Sequence, residues 1–561
     1  MLFLAAVGAA VYHNSINSSM VFDDRDNIIR NVYIRSPQYL KEIFTSNFTE
    51  GAGHILPYYR PLGNVSYMID YQFWKTNPVG YHLTNVALHL LNALLLALFL
   101  RALFQDELLA LLTAFLFLIH PVNTEAVNYI SARTDLLMFF FCLLSAWSYR
   151  LYGIKKGSLF LACSVLFYCL AVLCKETALL LPLVFFFARP VFVGERDASG
   201  VDSPKKKKKQ VSPPSPLWTR AKPLLGFAGV FAVYGILRVT VLNFLGTDIT
   251  QAGMTLSPVK ENMVQRLLLF SKGTLVYVRL LFFPVGLHID YDNPVLKPRG
   301  DPDAVAAAAF LVFLAFGGLW QGKKDKRVLF ATVWILVNAI PISNAIPMIT
   351  LIAERYLYLP SIGFFLVAAV AVMALYRRLK EKSARIGLAT GVACVLTVMG
   401  IMTFQRNAVW ADPIRFYKDT LAKTKKSFRI MGCLGAEYWR RGDVENAEMA
   451  FREAVKISPT YSVGLYNMGA VCAAKGDLDS AETYYRQALN SDPNSLLAMN
   501  GIAYVCIMKK RYGEAKRQLD EVLKRNPDNE RALELLRFIP QTQGPSAASA
   551  SGEKMDQTRR E

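Results

Sequence analysis

The sequence predicts an all-α protein, in which a polytopic membrane domain of about 11 spanning helices precedes an α-solenoid of short helical repeats. Two observations support this class. Apolar residues form 53% of the 561-residue chain, and over about the first 400 residues they group into stretches long enough to cross a bilayer. Beyond them, alanine recurs at positions 447, 481 and 515 and proline at positions 459, 493 and 527, a repeat of 34 residues.

The predicted membrane domain covers residues 1–405. The mean hydropathy of the whole chain is +0.27 despite its polar repeats, so most of the chain is expected to lie in lipid. The apolar stretches lie near residues 79–104, 107–121, 135–153, 157–174, 176–193, 223–245, 303–320, 327–349, 356–376 and 385–404. A shorter stretch at 1–12 has no basic residues before it and is interpreted as a signal anchor that could continue upstream of this sequence.

Lysine and arginine favour the cytoplasmic side of a membrane, so the short basic loops are expected to share that side. They are Arg150/Lys155/Lys156, Arg189 to Lys222 with the linker 194–222 and its run Lys205–Lys209, Lys323/Lys324/Lys326/Arg327, and Arg377/Arg378/Lys380/Lys382/Arg385. This holds only if the stretch 264–288 dips into the membrane and returns, or lies at the interface. The N-terminus is then cytoplasmic, and the repeats share the outer side with loops 21–78, 121–134, 246–302 and 350–355.

The first outer loop and the residues just before it contain three glycosylation sequons, which begin at Asn17, Asn47 and Asn64. Translocation of this loop would make them accessible. Each sequon alone is weak support, because the pattern is short.

Composition argues against several functional classes. The net charge of +20 does not indicate nucleic-acid binding, because the basic residues lie between apolar stretches and form no folded basic domain. The eight cysteines lie in apolar stretches or at repeat-core positions without metal-ligand spacing, so they are interpreted as buried thiols. No glycine-rich nucleotide-binding turn follows a strand pattern, so the sequence does not indicate a nucleotide-binding domain.

A spacing of 34 residues is the length of one tetratricopeptide helix-turn-helix, in which small residues let paired helices approach and a proline closes the second helix. The aligned positions are Leu434, Gly435, Tyr438, Ala447, Phe451, Ala454 and Pro459; Met468, Gly469, Cys472, Ala481, Tyr485, Ala488 and Pro493; and Ile502, Ala503, Cys506, Ala515, Leu519 and Pro527. Repeats are predicted over 428–540, between a connector at 406–427 and a disordered tail at 541–561.

Ionisable residues in the outer loops and at the helix mouths are costly to dehydrate beside a membrane, and therefore need an explanation. They are Asp23, Asp24, Asp26, Arg60, His120, Glu125, Arg133, Asp135, Lys175, Glu176, Glu354 and Arg355. Each also has a structural explanation, such as a capped turn, a snorkelling side chain, a helix stop, a mutual ion pair or an interfacial aromatic belt.

These carboxylates and cations are expected to meet at the outer leaflet, where a lipid-linked sugar phosphate would require both. A carboxylate would take the proton from the attacking hydroxyl, and cations would hold the departing phosphate. The predicted base is Asp24 or Asp23. The predicted phosphate-binding residues are Arg355, Lys175, Arg133, Arg60 and His120, supported by Glu125, Glu176, Glu354 and Asp135. No metal is expected, because a lipid monophosphate carries less charge than a nucleotide diphosphate.

Motifs spread over nearly the whole chain carry a family resemblance. They are Phe22-Asp23-Asp24, Tyr59-Arg60-Pro61-Leu62, Gly80-Tyr81-His82-Leu83-Thr84-Asn85 with His89 and Asn92, His120-Pro121 with Thr124-Glu125, Arg133-Thr134-Asp135, Lys175-Glu176-Thr177, Ala353-Glu354-Arg355-Tyr356-Leu357-Tyr358-Leu359-Pro360-Ser361, and Arg406-Asn407 with Trp410. In these motifs the sequence resembles the transmembrane and tetratricopeptide-repeat-containing O-mannosyltransferases, whose membrane part has the GT-C glycosyltransferase fold. The catalytic acidic pair of that family maps onto Asp23-Asp24.

The resemblance implies an inverting enzyme of the endoplasmic-reticulum membrane with luminal repeats. It would transfer mannose from dolichyl phosphate mannose to Ser or Thr of secretory-pathway proteins, with the lipid-linked donor as substrate and no other cofactor. A bacterial member would use a shorter polyprenyl carrier and face the periplasm. This chain has about three repeats, fewer than many animal members, which leaves the acceptor class open.

A rival interpretation is a membrane-anchored tetratricopeptide scaffold or adaptor without catalytic activity. Its outer charges would then only stabilise helix ends. A transporter is disfavoured, because the ionisable residues are predicted at helix mouths and in loops and not near the bilayer midplane.

Overall fold

The structure is a computed structural model that describes residues 1–53, 56–192, 221–242, 262–292, 294–297, 300–346, 348, 350–424, 426–526 and 529–540. Over these ranges the chain is helical and contains no strand, so the predicted all-α class is confirmed. The run Lys205–Lys209, most of the linker 194–222, Pro527 and the tail 541–561 lie outside the described residues.

The chain divides into two compact units. Among the described residues, the first unit ends at Asp412 and the second begins at Pro413. The α-helices of the first unit are α1 (Leu2–Tyr12), α2 (Leu40–Thr45), α3 (Pro61–Trp74), α4 (Pro78–Phe104), α5 (Glu107–Ile119), α6 (Thr124–Asn128), α7 (Arg133–Lys155), α8 (Ser158–Cys174), α9 (Leu181–Phe187), α10 (Arg189–Phe192), α11 (Leu225–Val239), α12 (Met263–Phe282), α13 (Pro302–Gly322), α14 (Lys326–Ala339), α15 (Pro360–Arg378) and α16 (Lys382–Trp410). The predicted connector therefore begins inside α16.

Within the described residues, six helical segments are long and apolar enough to cross a membrane. They are Pro78–Phe104, Ile130–Lys155, Lys222–Val239, Pro302–Gly322, Pro360–Arg378 and Lys382–Trp410. The pair Glu107–Ile119 and Pro121–Asn128, bent by 54°, would make a seventh. The expected number of about 11 is therefore not confirmed. Proline and charged residues interrupt several apolar stretches, so that α8 has 17 residues and α9 only seven.

The apolar stretch 264–288 forms one continuous helix over most of its length. Because α12 runs unbroken from Met263 to Phe282, the chain does not turn back within this helix. Arg266 near its start donates to the carbonyl of Ala345, and Tyr277 near its end donates to that of Leu351. Both ends thus contact the loop between α14 and α15. Whether this stretch dips into the membrane and returns or lies at the interface stays a prediction.

Two of the predicted basic clusters lie at one end of the first unit. Asp106, between α4 and α5, accepts a hydrogen bond of 2.7 Å from Arg377 and lies 4.0 Å from Arg327. The start of α5, the start of α14 and the end of α15 therefore meet at this carboxylate. This arrangement is the one expected if these basic residues share the cytoplasmic side.

Two of the three sequon asparagines are buried. Asn47 donates to Glu50 at 2.8 Å, and Asn64, within α3, donates to the carbonyl of Phe48 at 3.0 Å. Asn17 is exposed. The expected accessibility of the sequons is therefore wrong for Asn47 and Asn64, because their amides hold the fold of the loop together.

The second unit is built from paired helices. They are α17 (Pro413–Lys423), α18 (Phe428–Arg440), α19 (Val444–Ile457), α20 (Ser462–Ala474), α21 (Leu478–Ser491), α22 (Leu496–Met508), α23 (Tyr512–Arg525) and α24 (Glu530–Leu536). The repeating alanines Ala447, Ala481 and Ala515 are fully buried. A side-chain carbon added at Gly469 would lie 2.6 Å from the ring of Tyr485, so only small residues fit between these helices.

Candidate active site

The two adjacent aspartates of the first outer loop have opposite environments. Phe22 before them has φ of +53°, a left-handed backbone that is costly for a non-glycine residue. A single π-helical segment, Arg25–Arg30, follows them. Between these two irregular elements Asp24 is fully buried, whereas Asp23 is exposed. The loop therefore separates a buried carboxylate from an accessible one.

The Asp24 carboxylate is held by backbone and hydroxyl donors. The amide and hydroxyl of Ser131 each donate to its Oδ1 at 2.7 Å, and the amides of Val21 and Ile130 donate to its Oδ2 at 3.3 and 3.4 Å. Burial raises the pKa of Asp24 to about 7, although the hydrogen bonds from Ser131 act in the opposite direction. Asp24 joins the first loop to residues 130–131 and is poorly placed to receive a substrate proton.

Asp23 is connected to the predicted cations through one tyrosine. The Tyr129 hydroxyl donates to Asp23 Oδ2 at 2.7 Å. The guanidinium carbon of Arg355 lies 5.8 Å from the centroid of the Tyr129 ring. Tyr129 therefore fixes the position of the exposed carboxylate relative to a cation.

Arg355 is held in place by a buried acid. Its backbone amide donates to Glu125 Oε2 at 3.2 Å, and its guanidinium forms an ion pair with Glu125 Oε1. The guanidinium also lies 5.2 Å from the centroid of the Tyr356 ring, and the amine of Lys175 lies 5.9 Å from the same centroid. Two of the predicted phosphate-binding cations thus share one aromatic ring.

Lys175 and Arg60 are each paired with one of the predicted supporting acids. Lys175 donates to both oxygens of Asp135, at 2.7 and 2.8 Å. Arg60 forms a two-point contact with Glu176, at 3.2 and 2.8 Å, and its guanidinium lies 4.6 Å from the centroid of the Tyr58 ring. Both cations are therefore oriented by carboxylates that neutralise part of their charge.

Electrostatic interactions show that these pairs are neighbours. Burial lowers the pKa of the Lys175 amine, Asp135 raises it, and the positive charge of Arg60 lowers it further. Burial also raises the pKa of the Tyr58 phenol. Tyr356 raises this pKa further, whereas the positive charges of Arg60 and Arg355 lower it. We call Arg60, Lys175 and Arg355, with Tyr58 and Tyr356, the cation cluster.

Arg133 makes its contacts with residues outside the cation cluster. Its guanidinium is fully buried, pairs with Asp70 at 2.6 Å, and donates to the Asn85 side chain at 2.7 Å and to the Tyr81 carbonyl at 2.8 Å. The Tyr67 ring centroid lies 4.9 Å from its guanidinium carbon. Because protein acceptors and rings surround it, this geometry favours a structural role over phosphate binding.

His120 and Glu354 are also engaged within the fold. His120 Nδ1 accepts from the Val122 amide at 3.2 Å, so its Nε2 donates to the Leu281 carbonyl, also at 3.2 Å. Glu354 Oε1 accepts from the His288 amide at 2.6 Å and from the Tyr291 hydroxyl at 2.7 Å. Burial raises the pKa of the Glu354 carboxyl above its usual range. These two side chains position the loops around the cluster.

Sequence reasoning missed Tyr129, Tyr58 and Ser131. Tyr129 lies between two residues that drew attention, Glu125 and Arg133, but an aromatic residue at a membrane surface needs no further explanation. Ser131 belongs to the same short loop. Its position two residues after Tyr129 does not by itself mark this loop as a partner of the acidic pair.

No group of three or more His, Cys, Asp or Glu side chains that could hold a metal ion occurs among the residues that the structure describes. Metal independence therefore stays a prediction.

Tetratricopeptide-repeat family models match residues 434–495 and 473–537 of the chain, which confirms the predicted repeats. The solved structure titled "Crystal structure of APC/C hetero-tetramer Cut9-Hcn1" is matched with a TM-score of 0.25 at 16% identity, over 82% of this chain and 85% of that chain. That score is too low to support any argument about the fold.

Three curated relatives are named protein O-mannosyl-transferases. Protein O-mannosyl-transferase TMTC3 of Mus musculus is 26% identical over 81% of this chain and 51% of its own length. Protein O-mannosyl-transferase Tmtc1 of Drosophila melanogaster is 24% identical over 83% and 62%. Protein O-mannosyl-transferase F38B6.6 of Caenorhabditis elegans is 24% identical over 82% and 63%. The chain spans about half to two thirds of the length of these relatives.

The resemblance read from the motifs is therefore confirmed: over about four fifths of its length the chain is similar to protein O-mannosyl-transferases, and it carries tetratricopeptide repeats.

Proposed function

We propose that this protein is an inverting O-mannosyltransferase that transfers mannose from dolichyl phosphate mannose to Ser or Thr of secretory-pathway proteins. The observation that supports it most is the connection of the exposed Asp23 through Tyr129 to Arg355, whose neighbours on the Tyr356 ring include Lys175. A proton acceptor and a group of cations are what glycosyl transfer from a lipid phosphate needs.

In the proposed reaction, Asp23 is the base. Its carboxylate accepts the proton of the acceptor hydroxyl as that oxygen forms a bond to the sugar C1. The bond between C1 and the phosphate oxygen breaks on the opposite face, and the electron pair leaves with dolichyl phosphate. Asp24 acts as a positioning residue, because its hydrogen bonds to residues 21, 130 and 131 hold the loop that carries Asp23.

The cation cluster is proposed to bind the donor phosphate. Arg355 is the first candidate, because its side chain is still 21% exposed while Glu125 fixes its orientation. Lys175 and Arg60 add positive charge within the same group. Arg133 and His120 are left out of this role, since their donors bond to the protein itself.

The remaining parts of the proposal rest on the names of the similar proteins. The first unit is proposed to be a GT-C membrane domain in the endoplasmic reticulum, with the repeats luminal and engaging the protein acceptor. The donor lipid is a substrate, no metal or further cofactor is needed, and no nucleic acid takes part. A membrane-anchored adaptor is the alternative that an absence of transfer in the experiments below would support.

Replacing Arg355 by Gln is expected to raise the KM for dolichyl phosphate mannose about tenfold or more, with a smaller effect on the KM for the protein acceptor. A hydrogen bond to a charged group contributes about 1.5–3 kcal/mol, and about 1.4 kcal/mol corresponds to a factor of ten. Donor and acceptor titrations in membranes measure both constants.

The matched control is Arg327→Gln, since Arg327 is also ion-paired and has a similar side-chain exposure of 26%, but lies beside Asp325 at the opposite end of the unit. The double variant Arg355→Gln with Glu125→Gln avoids leaving a buried carboxylate unpaired. An unchanged donor KM in both Arg355 variants would contradict the assignment.

A further inference from the structure

We propose that the cleft between the end of α15 and the start of α16 binds the phosphate-bearing headgroup of an anionic membrane phospholipid. The cleft has a volume of about 460 Å³ and is lined by Tyr376, Lys380, Lys382, Arg385, Ile386 and Ala389. Three of these six residues are cations. The proposal depends on the membrane placement of the two helices and is independent of the proposed transfer reaction.

The three cations lack acidic partners. Among the described residues no carboxylate pairs with Lys380, Lys382 or Arg385. Neighbouring basic residues at this end differ, since Arg377 pairs with Asp106 at 2.7 Å and Arg327 pairs with Asp325 at 2.6 Å. The positive charge of the cleft is therefore available to an external anion.

Arg385 is already oriented toward its neighbours in the cleft. Its Nε donates to the Leu379 carbonyl at 2.8 Å, and its guanidinium lies 5.5 Å from the centroid of the Tyr376 ring. These two contacts restrict the side chain before any ligand binds, which lowers the entropic cost of binding.

The backbone adds to the positive potential. The 29-residue helix α16 begins at Lys382, and its N-cap Glu381 makes no side-chain capping hydrogen bond. Free amides and the helix dipole at a helix start favour an anion such as phosphate. The cleft thus combines three cations that lack acidic partners with a helix start whose N-cap side chain makes no hydrogen bond.

Apolar side chains beside the cations identify the occupant as a lipid. Ile386 lines the cleft and is 56% exposed, and Leu375, directly before the lining residue Tyr376, is 48% exposed. Both α15 and α16 are long and apolar enough to cross a membrane. An acyl chain can cover such a surface while its headgroup contacts the cations, whereas a water-soluble phosphate ester cannot.

The test uses the purified full chain in phosphatidylcholine vesicles that contain a minor fraction of photo-crosslinkable phosphatidylserine. Crosslinked lipid is measured by mass spectrometry of the peptides. The wild-type protein is expected to carry the label mainly within residues 376–389. The variant Lys380→Gln, Lys382→Gln, Arg385→Gln is expected to lose about tenfold or more of it, since each basic residue near a lipid surface contributes about 1 kcal/mol.

The control variant Lys155→Gln, Lys156→Gln, Lys323→Gln removes the same charge from other basic loops of the membrane domain and should keep the label. Glycerophosphoserine, the water-soluble headgroup, should not compete. Label outside residues 376–389 in the wild type, equal label in the triple variant, or full competition by glycerophosphoserine would each overturn the proposal. The wild-type map decides the matter even if the triple variant does not fold.

Discussion

Replacing Asp23 by Asn is expected to lower the rate of mannose transfer by about 10²–10⁴-fold, which is the usual contribution of a general base. The free energy of unfolding should change by less than about 0.5 kcal/mol, because Asp23 is exposed and an asparagine oxygen can still accept a hydrogen bond from the Tyr129 hydroxyl. Initial rates with dolichyl phosphate mannose in membranes and thermal unfolding in detergent measure the two effects. Asp26→Asn, in the same loop but paired with Arg30 at 2.8 Å, is the matched control.

The neighbouring variant Asp24→Asn is expected to act mainly on folding. The side-chain amide of the new asparagine would face the backbone amides of Val21 and Ile130. Three hydrogen-bond donors would then meet without an acceptor. The expected loss of stability is about 1–3 kcal/mol. Undiminished transfer in both single variants and in the double variant would remove the acidic pair from the mechanism.

Replacing Arg133 by Met is expected to have the largest effect on stability, about 3–5 kcal/mol. The change leaves Asp70 as a buried, unpaired charge and takes donors away from Asn85 and the Tyr81 carbonyl. We expect a low yield of folded protein in detergent and a lower temperature of unfolding.

The double variant Arg133→Met with Asp70→Asn should recover part of that loss, since it removes the unpaired charge. If the single variant Arg133→Met folds like the wild type and has a raised KM for the lipid donor, that result would restore the phosphate-binding role that the sequence suggested for Arg133.

The repeats could be predicted closely because their signal is local and periodic. Each repeat needs a small residue where its helices touch, and the fully buried Ala447, Ala481 and Ala515 recur for that reason. The number of spanning helices could not be predicted in the same way. Total apolar length does not reveal where breaks such as the 54° bend between α5 and residues 121–128 interrupt a span.

The site was predictable as a set of residues and not as a set of pairs. The sequence indicated that acids and cations would gather in the outer loops, and the structure brings Arg60, Lys175 and Arg355 together. The sequence does not indicate that Asp70, 63 positions before Arg133, would neutralise the charge of that side chain. Nor does it indicate which of two adjacent aspartates is buried, because that depends on the backbone turn at Phe22.

The most direct test is transfer by the purified full chain in vesicles, with radiolabelled mannose supplied on dolichyl phosphate. The acceptors are secretory-pathway proteins from cells that lack this gene. We expect label on Ser or Thr, release of dolichyl phosphate in equal amount, and loss of both in Asp23→Asn. Transfer from a nucleotide sugar alone, or transfer that Asp23→Asn does not reduce, would contradict the proposed site and mechanism.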